Sequence, residues 1–396
     1  MRVLHIIGTL NPESGGPAAA VATLNQFRSQ GSINEAVTLD DPSAPFLRNL
    51  DFSVTALGPT RTKYAWSRRL LPWLRANAER YDGVVVHGLW QYCGLAVWRA
   101  FAGSKPYMVF AHGMLDPYFK RAFPFKHVKK WVYWLLIEHW VLRDAYRVLF
   151  ASSEEAHLAR QSFGLNSWTS HIVSLGTGVP SGSESARRLA FLARFPHLGD
   201  RRFLLFLGRI DRKKGCDLLI SAFLRAAALD PGLDLVMAGP DPKHWRADLN
   251  RAIARAGLAS RVHWTGMLEG DEKWGAFHAS EAFILPSHQE NFGIAVAEAM
   301  ACGKAVLLSD KVNIAHDIAA AGAGLMESDT ADGTFRLISR WIATKPEQRG
   351  RMEEAARQLF ADRYDMRKNA REVSGLFYEA THAQLTEFPA PASAAK

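Results

Sequence analysis

At 396 residues the chain is long for one domain and comfortable for two, since compact domains run to about 100–200 residues. Hydrophobic residues at 48% and charged residues at 22% are ordinary for a globular enzyme that buries sizeable cores without cross-links. Three scattered cysteines (Cys93, Cys216, Cys302), with no Cys-x-x-Cys pair, exclude a disulfide framework or structural zinc site and read as small buried hydrophobes.

The net charge of +9 is unevenly placed. Residues 1–195 carry 22 Lys and Arg against 13 Asp and Glu, so the whole basic excess lies in the first half, which is expected to face something anionic. Met1–Gly8 is a short apolar run holding His5, followed by Asn-Pro-Glu-Ser-Gly-Gly, and it reads as strand then loop rather than a signal peptide. Nowhere does an uninterrupted apolar run approach the ~18 residues a membrane crossing needs; Trp131–Leu142 is broken by Glu138 and His139. A soluble, cytoplasmic protein is expected.

Strands are expected at Val3–Ile7, Ala36–Leu39, Ser53–Leu57, Gly83–His87, Tyr107–Ala111, Arg147–Ala151 and His171–Ser174. Helical stretches between them include Pro17–Gln30, Tyr64–Arg80 and Phe125–Arg143. Gly176–Gly182 is rich in Gly, Pro and Ser and suits a linker. The pattern restarts with strands at Phe203–Leu207, Asp234–Ala238, Val262–Thr265, Ala282–Leu285 and Ala305–Ser309. Continuous apolar strands alternating with helix-length connections predict buried parallel sheets in an α/β fold of two doubly wound units. The ligand site is expected near the C-terminal ends of both sets of strands. The expected division is 1–180 for an N-terminal domain and 181–365 for a C-terminal one. A helix over 366–385 packs back on the first domain, and residues 386–396 form a disordered tail.

Pro286-Ser287-His288-Gln289-Glu290-Asn291-Phe292-Gly293 follows one expected strand and opens a helix that Gly303 ends. A free helix N-terminus suits a diphosphate, and carboxylates beside it should grip neutral hydroxyls. Glu290 and Glu298, eight residues apart, are placed to do so on opposite sides of the phosphates. Leu207-Gly208-Arg209 through Lys213-Lys214-Gly215 sets cations at another strand end, where they neutralise a leaving diphosphate. Ser14-Gly15-Gly16-Pro17 allows close backbone approach to a ligand. No Walker loop or Gly-x-Gly-x-x-Gly fingerprint is present.

Glu-x7-Glu in this strand–turn–helix setting, with Glu-Asn-Phe-Gly and Glu-Ala-Met-Ala-Cys-Gly, resembles the retaining glycosyltransferases of family 4, which have the GT-B fold. The resemblance implies two Rossmann-like domains facing each other across a cleft. It implies that Glu298 binds the nucleotide ribose and Glu290 the donor sugar. The backbone of Asn291, Phe292, Gly293 and Ile294 meets sugar and phosphate. Arg209 and Lys214 take the diphosphate, the Gly15–Gly16 pair lies by the donor phosphate, and His112 of Ala111-His112-Gly113 orients the sugar or stabilises the reacting centre. Asp116 is the acceptor candidate, Gly239-Pro240 lines the nucleotide cleft, and Thr265-Gly266-Met267-Leu268 reads the base. One departure is Ser309–Ile314, where many relatives carry Gly-Gly-x-Pro-Glu, which bears on sugar identity more than on reaction class.

No Asp-x-Asp occurs, and no metal or other cofactor is expected, because the cations and the helix N-terminus supply the positive charge. The expected reaction moves a hexose, with retention, from GDP-mannose or a UDP-hexose to a saccharide or lipid-linked saccharide for bacterial exopolysaccharide or lipopolysaccharide. The leaving phosphate oxygen deprotonates the acceptor. Phe119–Arg143 interleaves Lys120, Arg121, Lys126, Lys129 and Lys130 with Trp and Phe, which suits peripheral contact with an anionic inner-membrane face. No nucleic-acid motif is present. Two other readings stand beside this one: a sugar-nucleotide epimerase of the same architecture, and a non-catalytic membrane-associated assembly subunit.

Overall fold

The computed structural model describes residues 1–27, 31–122, 124–179, 182–199 and 201–387. It divides the chain into two units, Met1–Leu175 with Met366–Lys396, and Gly176–Asp365. Each is built on one parallel sheet. Of the expected linker, residues 180 and 181 lie outside the described residues, as does the tail from residue 388 onward.

The first unit holds β1 (Arg2–Ile7), β2 (Ile33–Thr38), β3 (Ser53–Ala56), β4 (Gly83–His87), β5 (Tyr107–Phe110), β6 (Arg147–Phe150) and β7 (Ser170–Ile172) in the order β3-β2-β1-β4-β5-β6-β7. Every pairing is parallel, with Val3 opposite both Asn34 and Gly83. Val84, Val85 and Val86 have no exposed surface, because helices cover both faces of the sheet. The terminal helix Met366–Glu387 packs here: Phe377 is fully buried against Gly83, where an added Cβ would fall 2.2 Å from its ring. Asn369 and Glu372 tie the helix to the Ser174 carbonyl and to His171.

The second unit holds β8 (Arg202–Leu207), β9 (Leu233–Ala238), β10 (Val262–Gly266), β11 (Ala282–Leu285), β12 (Val306–Ser309) and β13 (Gly324–Glu327) in the order β10-β9-β8-β11-β12-β13, again all parallel. The strand order reverses between β1 and β4 and between β8 and β11, which opens a crevice at the carboxyl ends of those pairs. β13 is absent from the sequence reading. It is a four-residue edge strand with no length or alternation to announce it.

Two helix expectations need correction. Tyr64–Arg80 begins its helix only at Leu70: Ala65 adopts φ 56°, and Ser67 turns its hydroxyl to the Leu57 carbonyl while accepting from Arg69 N–H. Phe125–Arg143 runs as Pro124–Tyr133, a π-helical turn at Trp134–Glu138, and His139–Arg143. The π turn keeps Trp134 and Glu138 on the buried side.

Candidate functional site

In the second unit, the loops after β8, β11 and β12 are stitched together by backbone. His288 N–H donates to the Lys213 carbonyl (2.9 Å), Glu290 N–H to the Lys311 carbonyl (2.9 Å), and Asn313 N–H to the Glu290 carbonyl (3.0 Å). Asp211 caps the turn Arg212–Lys214 by accepting from Lys213 N–H. Gly215 then takes the left-handed conformation at φ 69°, where an added Cβ would fall 1.9 Å from the Pro286 carbonyl oxygen. Only glycine lets the two loops close to this distance.

That closure brings Lys214 and Glu290 into an ion pair, 76 residues apart in sequence, with side chains 20% and 15% exposed. Burial pushes the Glu290 carboxyl up, but the Lys214 ammonium and its hydrogen bond outweigh burial and hold it below the usual carboxylate range. Gly293, left-handed at φ 77°, starts the helix Ile294–Ala301, and no side chain caps that first turn. Val296 N–H bonds the Gly293 carbonyl at 2.8 Å, and the turn before it presents the positive end of the helix. Asn291 accepts from the Asn313 side chain at 3.2 Å, and Phe292 is buried edge-on against Tyr364.

Glu298 lies one helical face further on, buried, and accepts from Lys273 Nζ at 2.7 Å. Arg209 is exposed and makes no ion pair among the described residues. Gly239 sits where an added Cβ would meet the Gly208 carbonyl at 1.9 Å, and Met267, just past β10, is 57% exposed. Glu290, Lys214 and residues 291–294 are thus brought together around one helix N-terminus. Asn313 braces them and Lys273 holds Glu298; the sequence reading gave neither a role in the site.

The first unit carries the other predicted residues. Gly15 has φ 95°, and neither it nor Gly16 would bring an added Cβ within 4 Å of any atom, so backbone stands open at the start of the helix Gly16–Gln26. His112 follows β5 in the left-handed region at φ 50° and is the end of a chain of three histidines. Its Nε2 lies 3.0 Å from His87 Nδ1, and His87 Nε2 lies 3.0 Å from His5 Nδ1. Burial brings His112 down to about 3 and His5 to about 4; His87 falls well below its ordinary value through burial and its two histidine neighbours. All three rings are neutral at pH 7, and each has one N–H, so the two bonds run in one direction and the tautomer of His112 is tied to that of His5. Asp116 accepts from Tyr118 N–H at 2.7 Å. The sequence singled out only His112; His5 and His87 lie 107 and 25 residues away and meet it only through the order β1-β4-β5.

Among the described residues, no group of three or more His, Cys, Asp or Glu side chains could hold a metal ion, and no helix is long and apolar enough to cross a membrane. Two family descriptions match the chain: "Glycosyl transferase 4-like domain" over residues 14–176 and "Glycosyl transferases group 1" over residues 190–359. The chain is 26% identical over 394 residues to a GDP-mannose:cellobiosyl-diphosphopolyprenol alpha-mannosyltransferase of Xanthomonas campestris, covering 97% of each protein. Among solved structures it resembles the sucrose-phosphate synthase of Thermosynechococcus elongatus, with a TM-score of 0.75 at 19% identity, covering 97% of this chain and 100% of that one. It also resembles Anabaena HepE in complex with UDP and glucose, with a TM-score of 0.73 at 16% identity, covering 95% and 98%. Sheet order, loop chemistry and these similarities agree that the chain belongs to the group 1 glycosyltransferases of GT-B fold, enzymes that use sugar-nucleotide donors.

Proposed function

We propose that the enzyme transfers a hexose from a nucleoside-diphosphate sugar, with retention and without a metal, to a lipid-linked saccharide in bacterial surface-polysaccharide synthesis. The observation that carries this reading is the Lys214–Glu290 pair beside the uncapped N-terminus of the helix Ile294–Ala301. Lys214, Arg209 and that N-terminus offer the charge a leaving diphosphate requires. Glu290 then turns to a sugar hydroxyl, Glu298 to the ribose, and the backbone of residues 291–294 to sugar and phosphate. Gly15 and Gly16 approach the donor phosphate, Met267 lies by the base, His112 orients the sugar, and Asp116 meets the acceptor.

In the step itself, the acceptor oxygen forms its bond to the anomeric carbon as the bond from that carbon to the phosphate oxygen breaks. The acceptor proton passes to the departing phosphate oxygen on the same face, and no side chain is consumed. The acceptor in the name of the Xanthomonas relative, a cellobiosyl-diphosphopolyprenol, supports the lipid-linked assignment. So does the helix Pro124–Tyr133 with the turn after it: Phe125 (87% exposed), Val128, Val132, Leu135 and Leu136 (69%) form an outward apolar stripe flanked by lysines. Such a surface suits the headgroup region of an anionic membrane.

The test is a donor screen with EDTA present, following nucleoside diphosphate release from GDP-mannose and a panel of UDP-sugars with lipid extract as acceptor. Release from one donor, lost in Glu290→Ala and Lys214→Ala, is expected. An inverted product anomer, or activity that disappears with EDTA and returns with added metal, would sink the proposed mechanism.

A further inference from the structure

The helix that shows its apolar stripe outward has a different inner face. Behind it lies a cavity of about 200 Å³, lined by Met114, Asp116, Phe119, Lys126, His127, Lys130, Ser162 and Phe163. One water needs only roughly 10–15 Å³, so the space admits a polyatomic group.

Its chemistry is divided. Met114, Phe119 and Phe163 are apolar, while two lysines and a histidine come from a single helical turn. His127 is 9% exposed and stacks on Phe163 with ring centroids 4.6 Å apart, yet its Nε2 is buried without a hydrogen-bond partner. Buried ring nitrogens are rarely left so unless something else meets them. Lys130 has no ion pair among the described residues: its ammonium lies 4.5 Å from the Trp90 ring centroid and 5.7 Å from that of Phe119. Burial brings it down to about 8, the state of a cation held out of water without a carboxylate in contact. The buried Glu138, two turns beyond, acts on it only at a distance and is itself raised to about 8 by burial. Asp116 already accepts from backbone, and Ser162 donates to the Leu115 carbonyl, so both are occupied in shaping the wall. A compact anion with an apolar attachment satisfies what remains: charge for Lys130, an acceptor or donor for His127 Nε2, and carbon surface for the aromatic side.

We propose that this cavity is an anion subsite that takes the phosphate or diphosphate of an organic ester, the group joining saccharide to lipid in the acceptor. The assignment rests on the lipid-linked reading above and adds the residues of the first unit that hold the acceptor. The outward stripe and the inner cations share one helix, so the headgroup is held within a helix diameter of the apolar surface.

The test uses the full chain carrying Lys214→Gln, which weakens the other cationic site, and isothermal titration with inorganic phosphate, inorganic pyrophosphate and farnesyl diphosphate. Saturable binding of a diphosphate is expected, weakened about 10–100-fold by Lys130→Gln, as removal of one charge-assisted bond predicts, and restored by Lys130→Arg. Farnesyl diphosphate binding at least tenfold more tightly than pyrophosphate assigns the site to a lipid headgroup; equal affinities assign it to free phosphates. Absent binding, or binding indifferent to Lys130→Gln in a protein whose thermal unfolding is unchanged, overturns the proposal. The donor screen fails or succeeds independently. A working donor with full transfer to lipid-linked acceptor by Lys130→Gln removes the subsite and leaves the function standing. A diphosphate held through Lys130 without any donor turnover keeps the subsite and removes the function.

Discussion

Replacing Lys214 by methionine separates the two roles of its ion pair with Glu290. The pair is four-fifths or more buried on each side, so removing the ammonium leaves a carboxylate in low dielectric beside Asn291. Breaking a fully buried pair costs roughly 3–5 kcal/mol; partial exposure and the option of protonation reduce this to about 1–3 kcal/mol here. The deficit depends on pH. In the wild type the Glu290 carboxyl is held below its unfolded value, so its contribution is complete above the usual carboxylate range and is lost as pH falls through the folded value. In Lys214→Met burial, the largest influence, is opposed only by the Lys213 charge and the Asn291 N–H, so the carboxyl moves up. The variant is therefore most penalised at neutral pH and recovers relative to wild type on acidification toward pH ~4. Glu290→Gln in the same background recovers most of the stability at pH 7, because no lone charge is left. Turnover responds differently: losing one positioned charge at the leaving group costs about 10²–10³ in kcat, and the double variant regains none of it. Urea titrations at pH 7 and 4.5, set beside donor turnover, read both effects. Turnover of Lys214→Met within threefold of wild type, or a deficit that does not shrink on acidification, refutes the reasoning.

Three further changes probe other parts of the fold. Gly215→Ala places a Cβ against the Pro286 carbonyl in a left-handed position, which should lower stability by about 2 kcal/mol or more in urea titration and cut donor affinity, since both loops must part. Asp234, fully buried in β9 and bonded to Arg201, Arg261 and His263, should cost about 3–5 kcal/mol as Asp234→Ala, read as a fall in the denaturation midpoint, by leaving two guanidinium groups without their carboxylate. His87→Phe keeps the ring stack but cuts the histidine chain, so kcat should fall about tenfold while donor KM stays within twofold; His87→Gln, which can still bridge, should fall less.

The parallel sheets were legible because strands such as Val84–Val86 and Leu204–Phe206 are apolar without a break, as strands covered on both faces must be. Glu290 and Lys214 were legible as chemistry because each follows a strand end and precedes a helix. Their contact was not, since it depends on Gly215 and Pro286 passing at backbone distance. Lys273, from a neighbouring helix, carries no signal that it meets Glu298. His5 and His87 look like ordinary strand residues until strand order places them in line. The inner face of Pro124–Tyr133 carried no such signal: His127, a polar residue amid lysines, faces in, while Phe125 and Val128 face outward.

The chain leaves the first unit at Leu175 and returns to it at Met366, the outgoing and returning segments bonded where Thr177 N–H meets the Tyr364 carbonyl. On a ribosome this imposes an order. The second unit is contiguous and can close as soon as its last residue emerges, whereas the first, though made earlier, waits for about 190 residues before its final helix arrives. Until then the space beside Gly83 that Phe377 fills is an open apolar slot over the strand that ends in His87. The nascent histidine chain is therefore supported by an unfinished sheet face, and the enzyme becomes fully assembled in both halves at nearly the same moment, when synthesis passes the last helix.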